Sequence, residues 1–254
     1  MTGPDPAAPF RLAYVPGVIP SKWTRMWAER SPEVPLDLVQ VTAGEAADQV
    51  RERGVHAALL RVGGDREGLH AIPLYTEVSV VVVPKDHVIA AADEVTPGDL
   101  VDEIVLHPLD DTLDWASPPG RPALQRPDTT GDAVELVAAG IGLLVVPQSL
   151  ARLHHRKDLT YRTITDVPQS QVALSWLEDE TTDEVEQLIG IVRGRTVNST
   201  RGRQPEPAQA AKSEPAQARP AQSKPQAAKS RRTPATPARR AQAAPKRGKP
   251  RRRG

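Results

Sequence analysis

A short segment near the middle of the chain places two hydroxyl side chains and a glycine directly before a helical pattern. These residues are Thr129, Thr130 and Gly131. The apolar side chains that follow them fall along one helical face: Ala133, Val134, Leu136, Val137 and Ile141. A threonine at this position caps a helix, and the free N–H groups and dipole of the first turn attract an anion. The segment predicts a polar ligand contact at a helix N-terminus, but an ordinary helix and strand in a parallel sheet would show the same pattern.

Other clusters of reactive side chains have simpler explanations than catalysis. His154 and His155 are adjacent, and neighbouring side chains on a helix point about 100° apart, so they do not readily chelate one metal ion. Cationic side chains near the C-terminal end of a helix explain this cluster better. The carboxylates of Asp110, Asp111 and Asp114 lack the spacing and turn glycine of an EF-hand. Since the chain also shows no catalytic or phosphate-binding motif, the sequence predicts neither an enzyme nor a metal or cofactor.

The composition indicates a cytoplasmic protein. The 254 residues contain no cysteine, which excludes disulfides and thiolate metal sites. The first nine residues lack the basic and apolar regions of a signal peptide. No run of about 18 apolar residues is present, so we expect no membrane span.

The net charge of +1 conceals a strong division between the two parts of the chain. Residues 1–200 contain 17 Lys and Arg residues against 30 Asp and Glu residues, whereas residues 201–254 contain 16 against two. The second segment has nine prolines and no large apolar side chain. Burial therefore cannot offset its ordering entropy of about 1–2 kcal/mol per residue. We predict that residues 198–254 are a disordered basic tail and that residues 1–9 are also disordered.

The basic tail is suited to a polyanion such as DNA. Its candidate DNA-binding residues become denser toward the end: Arg231, Arg232, Arg239, Arg240, Lys246, Arg247, Lys249, Arg251, Arg252 and Arg253. Such a chain binds polyphosphate by releasing counterions, without sequence preference. Residues 247–251 also resemble the core of an AT-hook, which lies in narrow A·T minor grooves, except that Lys249 replaces the central arginine. The tail therefore predicts nucleoid association. A solubilising tail, a mask of the acidic body, or binding to RNA or phospholipid are the alternatives.

Several motifs in the part of the chain before the basic tail occur in the same order as in a known protein family. Residues 129–147 fit a helix that begins at a serine or threonine and is followed by AAGxGxxxxP. Residues 74–87 fit LxxExLxLVVPxxHPL, and residues 97–105 fit xxDLxDExxI. In this order they resemble the effector-binding domain of LysR-type transcriptional regulators. The resemblance implies that residues 10–197 bind a small effector, and it is compatible with a homodimer. Only about nine residues precede the first strand, so we expect the winged helix-turn-helix and linker helix of such regulators to be absent.

The resemblance implies an α/β fold of two lobes, like that of periplasmic binding proteins. Lobe I is expected to combine residues 10 to about 84 with residues 165–195, and lobe II to span about 85–164. The expected strands of lobe I are residues 10–15, 36–41, 55–61, 69–74, 77–84 and 170–177. The expected helices lie near residues 20–30, 43–53 and 181–194. Prolines within residues 110–122 predict a loop where the family usually has a helix.

Ligands of doubly wound sheets bind outside the carboxyl ends of the strands. This rule selects the loops after strands 10–15 and 55–61, residues 107–111 and the helix start at Thr129. The candidate ligand-binding residues are Gly17, Val18, Ser21, Arg61, Gly63, Gly64, His107, Thr129, Thr130 and Gly131. They predict a pocket for a small polar molecule, such as a carboxylate held by N–H groups and threonine hydroxyls. Arg61 either adds a charge to this pocket or is a solvated arginine at a strand end.

These observations predict a ligand-sensing transcriptional regulatory protein that associates with DNA through its basic tail. Two alternatives remain open. The first is a structural nucleoid-associated protein with a degenerate pocket, in which the tail carries all activity. The second is an intracellular small-molecule-binding module whose tail only tethers it.

Overall fold

Two β-sheets organise residues 8–63 and 66–194, which are the parts of the chain that the computed structural model describes. The strands are β1 (Phe10–Tyr14), β2 (Leu36–Gln40), β3 (Ala57–Arg61), β4 (Leu69–Glu77), β5 (Ser79–Pro84), β6 (Glu94–Val95), β7 (Ile104–Leu106), β8 (Arg121–Pro122), β9 (Leu143–Pro147), β10 (Leu159–Ile164) and β11 (Ser170–Leu177). The α-helices are α1 (Ser21–Arg30), α2 (Ala46–Arg51), α3 (Thr130–Ala138), α4 (Gln148–Leu153) and α5 (Asp183–Val192). Short 3₁₀ helices occupy Val88–Ala91 and Pro97–Leu100.

The first sheet, with the order β2-β1-β3-β11-β4, forms lobe I together with α1, α2 and α5. β1 lies parallel to β2 and β3, whereas β11 returns from late in the sequence and lies antiparallel to β3 and β4. Apolar strand residues such as Leu12 and Leu59 pack in one core with Trp27 of α1 and Leu188 of α5. Lobe I is therefore built from two distant stretches of the chain.

The second sheet, with the order β6-β10-β5-β9-β7-β8, forms lobe II. Its central strand β5 is a run of valines whose side chains alternate between two cores. Val80 and Val82 pack with α3 and α4, whereas Val81 and Val83 pack on the other face around Leu100. A strand covered on both faces is expected to be continuously apolar, and the sequence of β5 fits that rule.

Local sequence signals define both ends of α3. Thr129 is the N-cap, as predicted, and its side chain accepts a hydrogen bond from the first turn. At the other end Gly140 has a φ of +73°. The N–H groups of Gly140 and Ile141 donate to the carbonyls of Val137 and Leu136, which is the Schellman arrangement. This turn leads the chain away from the helix, so Ile141 is exposed and its predicted place on the apolar face is wrong.

The predicted two-lobed α/β fold is confirmed, but the strand predicted at residues 77–84 in lobe I lies in the other lobe. β5 pairs with β9 and β10, so the chain crosses to lobe II at Val78 and returns between β10 and β11. The loop predicted within residues 110–122 is confirmed, since no helix occurs there. Predictions on residues 1–7, 64–65 and 195–254 lie outside the described residues. Within the residues that the structure describes, none of the helices has both the length and the apolar character of a membrane span.

Candidate functional site

A cavity of about 690 Å³ lies between lobe I and lobe II. Lobe I lines it with residues at or just after the carboxyl ends of β1, β3 and β2, namely Pro16, Arg61, Gln40, Thr42, Ala43 and Gly44. Lobe II lines it with the loop after β7, residues 128–131 at the start of α3, and α4 after β9. These segments meet because the carboxyl ends of the parallel strands in each sheet face the same side, where doubly wound folds bind their ligands.

The N-terminus of α3 opens into this interlobe cleft. Thr129 accepts a hydrogen bond from the Asp132 N–H at 3.1 Å and donates to its carboxylate at 2.7 Å. Thr130 is buried and donates its hydroxyl proton to Oδ1 of Asp110 at 2.9 Å. Within the described residues, the backbone N–H groups of Thr130 and Gly131 have no acceptor. The first turn therefore offers two free donors to a ligand.

Glycine at position 131 gives this turn room beside His154. A Cβ atom built on Gly131 would lie 3.3 Å from Cε1 of the His154 ring, which is tighter than ordinary packing. His154 follows the last turn of α4 and lines the cleft together with Leu150 and Leu153. The sequence predicts His154 among cations at the C-terminal end of a helix, and the structure confirms that place, with the ring also forming part of the cleft wall.

Arg61 reaches the edge of the cleft, but its guanidinium is already bound by other groups of the protein. Its Nε donates to Glu77 at 2.9 Å, and the two side chains are only 4% and 5% exposed. Its Nη1 donates to the carbonyl of Pro16 at 2.8 Å, and Nη2 donates to the hydroxyl of Ser149 at 3.0 Å. Arg61 is thus neither a solvated arginine nor an uncompensated positive charge, since it forms a buried ion pair that also joins lobe I to α4 of lobe II.

The backbone of lobe I approaches α4 closely at Gly17. Its φ is +83°, and a Cβ atom there would lie 2.7 Å from Oγ of Ser149 and 2.9 Å from Nη2 of Arg61. Only glycine fits this conformation and this contact. Gly17 therefore shapes the edge of the cleft through its backbone, although it is not among the lining residues.

Two hydrogen bonds from Thr42 to Glu45 fix the loop of lobe I that borders the cleft. Thr42 donates its hydroxyl proton to Glu45 at 2.7 Å and its backbone N–H to the same carboxylate oxygen at 3.2 Å. These bonds favour the charged carboxylate and hold the pKa of Glu45 below its ordinary value, the side-chain bond having the larger effect. The loop before α2 is therefore fixed by its own side chains.

The structure brings together four of the predicted ligand-binding residues. Arg61, Thr129, Thr130 and Gly131 all line the interlobe cleft. Gly64 lies outside the described residues.

Three further candidates are placed elsewhere. The side chain of Val18 is buried in the core of lobe I, where no ligand reaches it. Ser21 begins α1 on the exposed surface, and Gly63 is exposed with no neighbouring atom within 4 Å of a Cβ position. Neither Ser21 nor Gly63 lines the interlobe cleft, because the chain leaves that edge directly after β1 and β3.

His107 lines a different cavity, of about 410 Å³, within lobe II. Its Nδ1 lies 3.8 Å from the carboxylate of Asp111, which also accepts a 2.9 Å hydrogen bond from the indole of Trp115. The chain turns after β7 so that Asp110 and Thr112 face the cleft, while His107 and Asp111 face lobe II. The prediction that grouped His107 with Thr130 is therefore corrected.

Sequence reasoning missed the loop after β2 and the helix after β9. Gln40, Thr42, Ala43 and Gly44 contribute from the first, and Leu150 and Leu153 contribute from the second. The same rule about carboxyl ends, applied to these two strands, would have found them. Across the described residues there is no group of three or more side chains suited to hold a metal ion.

Comparisons with known proteins place most of the chain in one family. Residues 7–196 match the LysR substrate binding domain. A probable hydrogen peroxide-inducible genes activator of Mycobacterium avium is 30% identical over 154 residues, which are 56% of this chain and 50% of that protein. The HTH-type transcriptional regulator MetR of Escherichia coli K12 is 33% identical over 102 residues, which are 37% of this chain and 32% of MetR. The chain thus spans half or less of the length of these relatives.

Solved structures share the fold. The BenM effector binding domain with its effector benzoate has a TM-score of 0.63 at 18% identity, covering 76% of this chain and 96% of that one. The oxidised form of OxyR has a TM-score of 0.62 at 21% identity, covering 74% and 95%. At these identities the likeness concerns the fold alone. Because the family match covers residues 7–196, most of the sequence, the chain belongs to the LysR substrate binding domain family.

Proposed function

We propose that this chain senses a small polar effector in the interlobe cleft and so takes part in the control of transcription. The observation that carries the proposal is the cleft of about 690 Å³ into which the N-terminus of α3 opens. Threonine hydroxyls and two free N–H groups supply polar contacts there, and Leu109, Leu150 and Leu153 supply apolar surface. This composition is typical of small-molecule sites.

The relatives support a role in regulation by a ligand. The proteins of Mycobacterium avium and Escherichia coli are named as a gene activator and a transcriptional regulator, and neither is named as an enzyme. The BenM domain holds benzoate as its effector. These are properties of those proteins, and they support an effector in the corresponding cleft of this chain.

Reversible binding, rather than thiol oxidation, is the mode of sensing we propose. One relative is named for induction by hydrogen peroxide, and one similar structure is a C206 mutant of OxyR from Corynebacterium glutamicum. The 254 residues of this chain contain no cysteine. Because a thiol is required for sulfenic acid or disulfide formation, this chain has no such chemistry of its own.

We also propose that residues 201–254 associate with DNA. This segment contains 16 basic residues against two acidic ones, so counterion release would drive its binding to a polyphosphate. The test is fluorescence anisotropy of A·T-rich and G·C-rich duplexes with residues 1–254 and with residues 1–200, at several salt concentrations. We expect steeply salt-dependent binding by the full chain only. Equal binding by both proteins would contradict the role of the tail.

A substitution in the cleft separates effector sensing from DNA association. Thr130→Val removes the hydroxyl that orients Asp110. We expect it to abolish ligand-induced thermal stabilisation in a screen of small polar molecules, while leaving salt-dependent DNA binding intact. Thr160→Val, on β10 outside the cleft lining, is the matched control. If no polar molecule stabilises the unmodified chain, the cleft is not an effector site.

A further inference from the structure

We propose that the effector of this cleft carries a protonated amine, which binds beside the carboxylates of Asp110 and Asp128. The inference rests on the proposed function and specifies the chemical class of its ligand. It departs from the carboxylate that the sequence suggested. Three features of the cleft support it: its charge, its unpartnered hydroxyl and the state of the α3 N-terminus.

The first feature is the charge of the cleft wall. Among its described residues, Arg61 is the only lysine or arginine, and Glu77 neutralises it at 2.9 Å. Asp110 and Asp128 are exposed to the cleft and solvent, and neither forms an ion pair with a residue that the structure describes. The described lining therefore holds two carboxylates without an ion-pair partner, beside His154 as its one other ionisable side chain apart from Arg61, and this set attracts a cation more than a carboxylate.

The second feature is a set of oxygen atoms ready to accept hydrogen bonds. Thr130 binds Oδ1 of Asp110 and so fixes the orientation of that carboxylate, while Oδ2 stays free. Oγ1 of Thr112, which also lines the cleft, is buried and has no hydrogen-bond partner. A buried hydroxyl without a partner is costly. An ammonium group, with its three N–H donors, suits such a set of acceptors.

The third feature is the partial neutralisation of the α3 N-terminus. Asp132 lies in the first turn, where its carboxylate already compensates the positive end of the helix dipole. A ligand carboxylate at this turn would lie close to Asp132 as well as to the two carboxylates of the cleft. The free N–H groups of Thr130 and Gly131 are better matched by a neutral hydroxyl or carbonyl oxygen of the ligand.

The test compares matched ligands that differ only in charge. We would titrate the full chain by isothermal calorimetry and thermal shift with benzylamine, benzyl alcohol and benzoate, and with butylamine, butanol and butyrate. We expect at least one amine to bind about tenfold or more tightly than its alcohol, and neither carboxylate to bind. Failure of both amines to bind overturns the proposal.

Variants locate the binding and separate the two hypotheses. Asp110→Asn and Asp128→Asn should each weaken amine binding about tenfold, whereas Asp114→Asn, an exposed aspartate outside the cleft lining, should not. Amine binding that survives the double substitution overturns the proposal. Preferential binding of an alcohol or carboxylate, abolished by Ala43→Trp in the cleft, keeps the effector site but overturns the amine. If no compound of either series binds, the proposed function fails as well.

Discussion

Arg61 shows how a single side chain can have a structural role that its sequence position does not reveal. The sequence places it at a strand end near the predicted site, and the structure confirms that location. Its partner Glu77 lies sixteen residues away, on a strand whose position depends on pairing with β11. Because no local pattern encodes this pairing, the sequence left open a ligand contact and a solvated side chain, and it did not predict a buried ion pair.

Removing one partner of this ion pair should be strongly destabilising. Glu77→Gln keeps the shape of the side chain but leaves the buried Arg61 guanidinium without a counter-charge. We expect a loss of about 3 kcal/mol in the free energy of unfolding, measured by urea denaturation. Glu29→Gln, on the exposed side of α1, should change it by less than about 0.5 kcal/mol. A loss below about 1 kcal/mol for Glu77→Gln would show that solvent reaches the pair.

Two glycines with similar positive φ angles allow the cost of backbone strain to be measured separately from the cost of a steric contact at Cβ. Gly140 has a φ of +73° with nothing near its Cβ position, whereas Gly17 has a φ of +83° and faces Ser149 at 2.7 Å. Gly140→Ala should cost about 1–2 kcal/mol from the backbone alone, and Gly17→Ala should cost clearly more. Ser149→Ala should recover part of the excess in the double variant. Equal losses at the two glycines in thermal denaturation would contradict the close approach of the lobes.

At the scale of elements, local signals were sufficient for the starts of α3 and α5 and insufficient for the assignment of strands to lobes. The threonine cap of α3 was predicted from adjacent residues, and Thr182 caps α5 as a threonine preceding acidic residues should. The run of valines in β5 was recognised as a strand. The prediction that this strand belongs to lobe I was wrong, because the sheet that a strand joins depends on partners such as β9, which lies about sixty residues later.

The segment before α2 gives a pH-dependent prediction at this scale. The folded pKa of Glu45 is lowered by Thr42, so the bonds contribute stability above the unfolded pKa and are lost as pH falls through the folded pKa. Thr42→Val should raise the Glu45 pKa toward its ordinary value in a carboxyl NMR titration. The variant should have a lower free energy of unfolding than the parent protein near neutral pH. This difference should become smaller in acid, where the parent protein also loses the bonds to the charged Glu45 carboxylate.

The equivalent pair Thr96 and Asp99 is the internal control for that titration. Bonds from the Thr96 backbone and side chain lower the Asp99 pKa in the same way, in lobe II. The Asp99 pKa should be unchanged by Thr42→Val. A shift of both carboxyl groups would indicate a general change of the fold, and a constant Glu45 pKa would show that Thr42 does not stabilise its charge.

At the scale of the whole molecule, the relation between the two lobes determines the site. The sequence identified the α3 N-terminus and Arg61 because each follows a rule about one element. It grouped His107 with them because it could not show which way each side chain turns after β7. It missed the hydrophobic wall of Leu150 and Leu153 because their role depends on what faces them across the cleft.

The contact between Arg61 and Ser149 should limit the relative motion of the lobes. Since the chain has no cysteine, spin labels can be placed cleanly at Glu52→Cys in lobe I and Lys157→Cys in lobe II, both exposed positions. We expect Ser149→Ala to broaden the distance distribution between these labels in pulsed EPR. The distribution between Lys22→Cys and Glu52→Cys, both in lobe I, should not change. An unaltered distribution for the first pair would mean that other contacts hold the lobes.

The discontinuous chain path of lobe I has a consequence for the order of folding. β3 can acquire its neighbour β11 only after the whole of lobe II has been traversed, since Leu59 pairs with Leu174. A nascent lobe I therefore exposes one edge of β3, and the Arg61 guanidinium lacks Ser149 until α4 is in place and a positioned Glu77 until β11 joins β3 to β4. Completion of each lobe depends on the other, so the two sheets should unfold together in a single cooperative transition, with slow refolding set by this long-range closure.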